Sequence, residues 1–185
     1  RGLYISYPAR DKIAEMLDNR THPEIDLILC TDGEGVLGIG DQGISGMAIA
    51  IAKLTVYSTF GKVNPMRTLP IMLDVGTNNQ ALLNDPMYPG WRSPRITGDE
   101  YDKFVDKFVS EVKKRFPKVM LHWEDFGREN AQRCLDRYQS KICSFNDDIQ
   151  GTGVVALAAT LSAIKKSGLK LSEQKIIIFG AGTAG

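Results

Sequence analysis

Apolar, β-prone runs and helix-patterned stretches alternate along this 185-residue chain, and no other feature constrains its fold as tightly. ARDKIAEMLDNR (9–20) reads as a helix and EIDLILC (24–30) as a strand. ISGMAIAIAKLTVYSTF (44–60) reads as a long helix, apolar nearly all round and so expected to be mostly buried. LPIMLDVG (69–76) follows as a strand and NNQALLND (78–85) as a short helix. TGDEYDKFVDKFVSEVKKRF (97–116) places Tyr101, Phe104, Val105, Phe108, Val109 and Val112 at the i, i+3, i+4 spacing of one helical face. Its Thr97-to-Glu100 start has the capping-box form. VMLHW (119–123), KICSF (141–145) and KIIIF (175–179) read as strands, with helices at 127–139 and 152–166 between them. Strands separated by helices imply right-handed crossovers and a parallel sheet covered on both faces. The expected class is α/β, with a domain boundary near residue 147.

Two pairs of adjacent acids sit where such strands end. Glu124 and Asp125 follow VMLHW, and Asp147 and Asp148 follow KICSF by one residue. Open α/β sheets collect ligands at the carboxyl ends of their strands, and adjacent acids converge only where a strand stops alternating its side chains. Glu124, Asp125 and one of Asp147 or Asp148 would give three hard oxygen ligands to Mg²⁺ or Mn²⁺, leaving positions for substrate oxygens and water. The competing reading makes these acids helix N-caps, Asp148 before IQGTG being a candidate.

Lys53 interrupts the apolar helix. It either snorkels to the surface or stays in a pocket, where desolvation lowers its pKa towards that of a general base and a neighbouring carboxylate opposes the shift. Gly180, Gly182 and Gly185 follow KIIIF in the strand-then-glycine-turn context of a dinucleotide fingerprint. Gly38, Gly40 and Gly43 follow only a weak strand, so they read as glycines for close packing or backbone approach to a substrate. His122, within a strand, reads as a satisfied core or sheet-face histidine.

Composition removes several classes. A net charge of +1 recommends neither nucleic acid nor an anionic membrane as partner. No apolar run reaches the ~18 residues of a membrane span, and no signal peptide opens the chain. Cys30, Cys134 and Cys143 lack CxxC spacing and read as reduced core or near-core thiols of an intracellular protein. The loop DPMYPGWRSPRIT (85–97) reads as a rigid surface excursion or a contact surface for another subunit. The chain opens on Arg1 and stops within GAGTAG, so it reads as an internal piece of a larger enzyme.

In this order, TDGEGVLGIGDQGISGMAIAIAK, LPIMLDVGTNN, HWEDF, FNDDIQGT and IIIFGAGTAG closely resemble the malic enzymes over essentially the whole chain. The resemblance implies oxidative decarboxylation of L-malate to pyruvate and CO₂, with NAD or NADP and with Mg²⁺ or Mn²⁺. It implies a homodimer or homotetramer, in the cytoplasm or, alternatively, the mitochondrial matrix. It divides the chain into a substrate and metal domain (1–146) and the first strand of a Rossmann-like NAD(P) domain (147–185). Carried over by motif, Glu124, Asp125 and Asp148 are the metal ligands, Lys53 the general base, and Asp147 its charge partner. Gly180, Gly182 and Gly185 begin the cofactor site, with Asn130 near it. The tyrosine that protonates the enol in this family belongs to a segment before Arg1, and Tyr4 is not that residue.

One departure stands out. The family usually reads DGERILG, with an arginine that contacts substrate carboxylate and cofactor, whereas this chain reads DGEGVLG with Gly35 in that place. Glycine cannot supply an arginine fork, so weakened malate binding is expected. Three rivals remain open: a malolactic enzyme giving lactate with the cofactor retained, a catalytically silent assembly module, and a metal-free α/β dehydrogenase. Residues 1–185 alone are expected to be inactive.

Overall fold

A computed structural model describes residues 2–20, 22–180 and 182–184. Five strands, β1 (Leu3–Ser6), β2 (Leu27–Thr31), β3 (Thr68–Asp74), β4 (Met120–Glu124) and β5 (Ser144–Asn146), form one sheet in the order β1-β3-β2-β4-β5. Every pairing is parallel, with Cys30 opposite Ile71 and Trp123, and His122 opposite Phe145. The α/β reading is correct.

Strand alternation sorts the core into two layers. Ile28 and Cys30 of β2, Ile71 and Leu73 of β3, and Leu121 and Trp123 of β4 face one side. There they meet α1 (Ile13–Asp18), the Phe104–Phe108–Val112 stripe of α4 (Gly98–Arg115), and α5 (Arg128–Tyr138). Leu27, Leu29 and Met72 face the other side and meet Met47, Ala50 and Leu54 of α2 (Met47–Gly61). The short α3 (Gln80–Asn84) follows β3.

Several expectations need correction. The first helix begins as a 3₁₀ segment at Tyr7–Lys12 before α1. β1, too short for its pattern to stand out, adds a strand the periodicity did not suggest. α2 is not buried all round: Val56 and Phe60 are 52% and 80% exposed. By length and composition the Gly43–Gly61 stretch matches a membrane span, yet one side of it packs on β2 and β3 and carries the bound Lys53. The capping box at Thr97 is not made: the Thr97 side chain forms no cap hydrogen bond, and Glu100 accepts the Tyr7 hydroxyl. The 85–97 loop is no mere surface excursion. Tyr88 Oη accepts the Ile44 N–H at 2.9 Å, and the buried Arg95 guanidinium holds Asp41 at 2.7 Å and the Asp32 carbonyl at 2.9 Å.

KIIIF lies outside the sheet: residues 174–180 pair with no strand among the described residues, and Ile177 and Phe179 are fully or nearly fully exposed. β propensity describes a side chain that fits a pleated, covered surface, and no neighbouring ladder offers one here. α6 (Thr152–Ser167) likewise buries none of its residues.

Candidate metal and active site

β4 delivers Glu124 as its last residue, on the face that looks toward α2. The next residue, Asp125, adopts φ = 57°, a left-handed conformation that non-glycine residues seldom take. This turn breaks strand alternation and brings its carboxylate beside that of Glu124, so the strand-end rule holds here. The turn is clamped from outside: Gly35 N–H donates to the Asp125 carbonyl at 2.8 Å, and the Leu37 N–H donates to its carboxylate.

β5 ends at Asn146, whose side chain caps the following segment by accepting the Ile149 N–H at 3.0 Å. That segment, Asp147–Gly151, is a single π-helical turn, a distortion often found at functional sites. It turns Asp148 inward, where the carboxylate accepts the Asp125 N–H at 2.8 Å. Asp147 turns the other way. Gly151 makes room for it, since a Cβ there would lie 1.9 Å from Asp147 Oδ1.

One ligand oxygen from each of Glu124, Asp125 and Asp148 lies within 4.8 Å of the others, and all three residues are buried. Burial first, and then the charge of Glu124, raise the Asp125 carboxyl to about 7 and that of Asp148 to about 6. Asp125 Oδ2 is buried with no hydrogen-bond partner. Crowded carboxylates with an orphaned oxygen fit a divalent cation better than an N-cap role; the cap is Asn146.

Lys53 reaches in from α2. Its Nζ is 2.6 Å from Asp147 Oδ2 and 2.9 Å from Glu124 Oε1, so it does not snorkel away. Burial by itself would lower its pKa, but hydrogen bonds and charge from Asp147 and Glu124 outweigh that and raise it. The neighbouring carboxylates win the balance that the sequence left open. His122, Glu124 and Asp147 also cluster within 4.8 Å, but the Lys53 ammonium already bridges the two acids of that group.

The remaining sequence candidates scatter. Gly35 packs against the Asp125–Gly127 turn, where a Cβ would lie 2.5 Å from the Phe126 carbonyl oxygen. Asn130 donates to Glu34 at 3.1 Å. Gly180 and Gly182 form no cradle, with nothing within 4 Å of a Cβ at either; Gly185 lies outside the described residues. Sequence reasoning gave no site role to Tyr57 or Gly151 and passed over His122 as core.

Fold and site together define an α/β protein whose parallel strand ends gather buried acids beside a lysine. Family models agree: the N-terminal domain of malic enzyme matches residues 1–139 and the NAD binding domain of malic enzyme matches residues 149–185. This chain belongs to the malic enzyme family. It is 55% and 56% identical, over its full length, to the NAD-dependent malic enzymes of Erwinia tasmaniensis and Psychrobacter arcticus, and spans 33% of each. The crystal structure of malic enzyme from Pyrococcus horikoshii aligns with a TM-score of 0.62 and 28% identity, covering 96% of this chain and 37% of that one. The NAD-dependent malic enzyme of Thermotoga maritima, 23% identical over 96% of this chain and 42% of its own, shares the fold at a TM-score of 0.65.

Proposed function

We propose that this chain supplies the metal- and substrate-binding part of an enzyme that oxidatively decarboxylates L-malate to pyruvate and CO₂. Residues 1–146 make up that part, and residues 147–185 begin the NAD(P) domain. The observation that carries this reading is the buried, unpartnered Oδ2 of Asp125 among three converging acids, with Lys53 alongside.

Glu124, Asp125 and Asp148 would hold Mg²⁺ or Mn²⁺. A cation there supplies Lewis-acid polarisation of the substrate oxygens when bound. Lys53 first passes a proton to Asp147, to which it is hydrogen-bonded at 2.6 Å, and as the neutral amine then accepts the proton of the malate hydroxyl. Arg95 ties Asp32 to Asp41 across the loop whose Gly35 N–H donates to the Asp125 carbonyl. The glycine run offers no cradle here, so the nicotinamide half of the reaction rests on the family match, and NAD is favoured over NADP by the names of the relatives alone. A homodimer or homotetramer remains part of the proposal, supported by the exposed apolar side of α2. Gly35 leaves malate without the usual arginine contact, and its affinity is correspondingly weak.

The test is malate-dependent NADH formation, with and without Mn²⁺, by a full-length enzyme carrying this sequence. Metal-dependent NADH and pyruvate support the proposal. Lactate without net NADH would assign the malolactic activity instead, and metal-independent turnover would remove the role of the three acids.

A further inference from the structure

His122 is fully buried on the sheet, and the proposed reaction gives it no task. It stands two residues before Glu124 on β4, so both side chains project toward α2. Two strand residues span about 6.6 Å, and four helical residues span about 6 Å. Lys53 and Tyr57, four apart on α2, therefore match Glu124 and His122 rung for rung. Tyr57 Oη lies 2.9 Å from His122 Nδ1, and Lys53 Nζ lies 2.9 Å from Glu124 Oε1. A third bond closes the frame, His122 Nε2 lying 2.5 Å from Glu124 Oε2. A carboxylate offers only lone pairs, so Nε2 carries the hydrogen and donates it. In that tautomer Nδ1 is an acceptor, and the Tyr57 hydroxyl donates to it. The Phe145 ring meets the imidazole edge-on, with centroids 5.5 Å apart, and restrains its rotation.

We infer that His122 is a positioning residue for Glu124, with Tyr57 fixing which ring nitrogen carries the hydrogen. Lys53 holds one carboxylate oxygen and His122 the other, and together they set the plane in which Glu124 meets Asp125 and Asp148. Without His122, Lys53 alone directs Glu124 and draws it toward Asp147, away from the other two acids. His122 can act in this way only if the three acids hold a cation, as proposed above.

The experiment is Mn²⁺ titration, followed by electron paramagnetic resonance, of a full-length enzyme carrying this sequence and of its His122→Leu, His122→Gln, Tyr57→Phe and doubly substituted His122→Leu/Tyr57→Phe variants. Hydrogen-bond partners of metal ligands are commonly worth tenfold or more in affinity. His122→Leu should weaken Mn²⁺ binding by about tenfold or more. His122→Gln, which keeps an N–H near the Nε2 position, should stay within about threefold of the parent, a smaller loss than that usual range. Tyr57→Phe should weaken binding in the parent yet add nothing in the His122→Leu background, because Tyr57 acts through His122. Binding by His122→Leu at parental strength, or additive losses in the double variant, would overturn the inference while leaving the cation site standing. A parent that binds no Mn²⁺ would overturn both. Should His122→Leu fail to fold, His122→Gln and Tyr57→Phe decide: parental affinity in Tyr57→Phe or loss in His122→Gln counts against it.

Discussion

Lys53 Nζ lies 2.9 Å from Glu124 Oε1 while its other bond, at 2.6 Å, goes to Asp147 Oδ2. One ammonium thus separates two kinds of acid: Glu124, which leans toward Asp125 and Asp148, and Asp147, which does not. The two acid pairs of the sequence are divided unequally, and Lys53 marks the division.

Removing that ammonium should stop proton exchange and leave the fold intact, because the Lys53 side chain is 30% exposed and belongs to neither hydrophobic core layer. Lys53→Met in a full-length enzyme should lower kcat by about 100- to 10,000-fold, the range usual for a lost general acid–base. Circular dichroism should remain parental. A kcat within tenfold of the parent would remove Lys53 from the chemistry.

Asp125 and Asp148 keep their protons to about pH 7 and 6 in the folded chain, whereas an unfolded aspartate releases its proton near pH 4. Between those limits the folded state binds more protons than the unfolded one, so metal-free stability falls as pH rises from about 4 to 7. Adding Mn²⁺ at pH 7.5 should recover the loss, and Mn²⁺ affinity should climb through the same window as protons are displaced. Thermal melts across pH, with chelator and with Mn²⁺, check both trends. A metal-free melting temperature that rises toward pH 7 contradicts the crowding of these acids.

Relieving the crowding makes the opposite trade. Asp125→Asn keeps the shape and tolerates the left-handed φ of 57°. It should abolish Mn²⁺ binding and raise the metal-free melting temperature by a few degrees, equivalent to about 1 kcal/mol. A variant both metal-competent and no more stable would show that Asp125 is neither a ligand nor under strain.

Gly35 faces two demands at once. A side chain there must push aside the Phe126 carbonyl, 2.5 Å from any Cβ, at a cost of about 1–3 kcal/mol. An arginine would also restore a fork for the malate carboxylate. Gly35→Arg is expected to lower both the KM for malate and the melting temperature. An unchanged KM contradicts the substrate role of this position, and an unchanged melting temperature contradicts the tight packing.

The sheet and the acids were legible for local reasons. Alternation of strands and helices is written in periodicity, and Glu124–Asp125 and Asp148 fall where strand pairing must end. Lys53 was visible as a charge in an apolar run, but the sign of its pKa shift was not, because that depends on two acids some 70 and 94 positions away. His122 escaped for a similar reason: its partners, Tyr57 and Glu124, become neighbours only once helix and strand spacings are laid side by side. The 85–97 loop looked external by composition, yet Arg95 goes inward because Asp32 and Asp41 await it there. KIIIF carries strand propensity, but propensity does not supply a neighbour to pair with.

The most direct test of the central claim is an anomalous difference map from crystals of a full-length enzyme carrying this sequence, soaked in Mn²⁺. Glu124, Asp125 and Asp148 should each place an oxygen about 2.0–2.3 Å from a single peak, with Lys53 still bound to Asp147. A peak among His122, Glu124 and Asp147 with Lys53 displaced, or no peak at all, would contradict it.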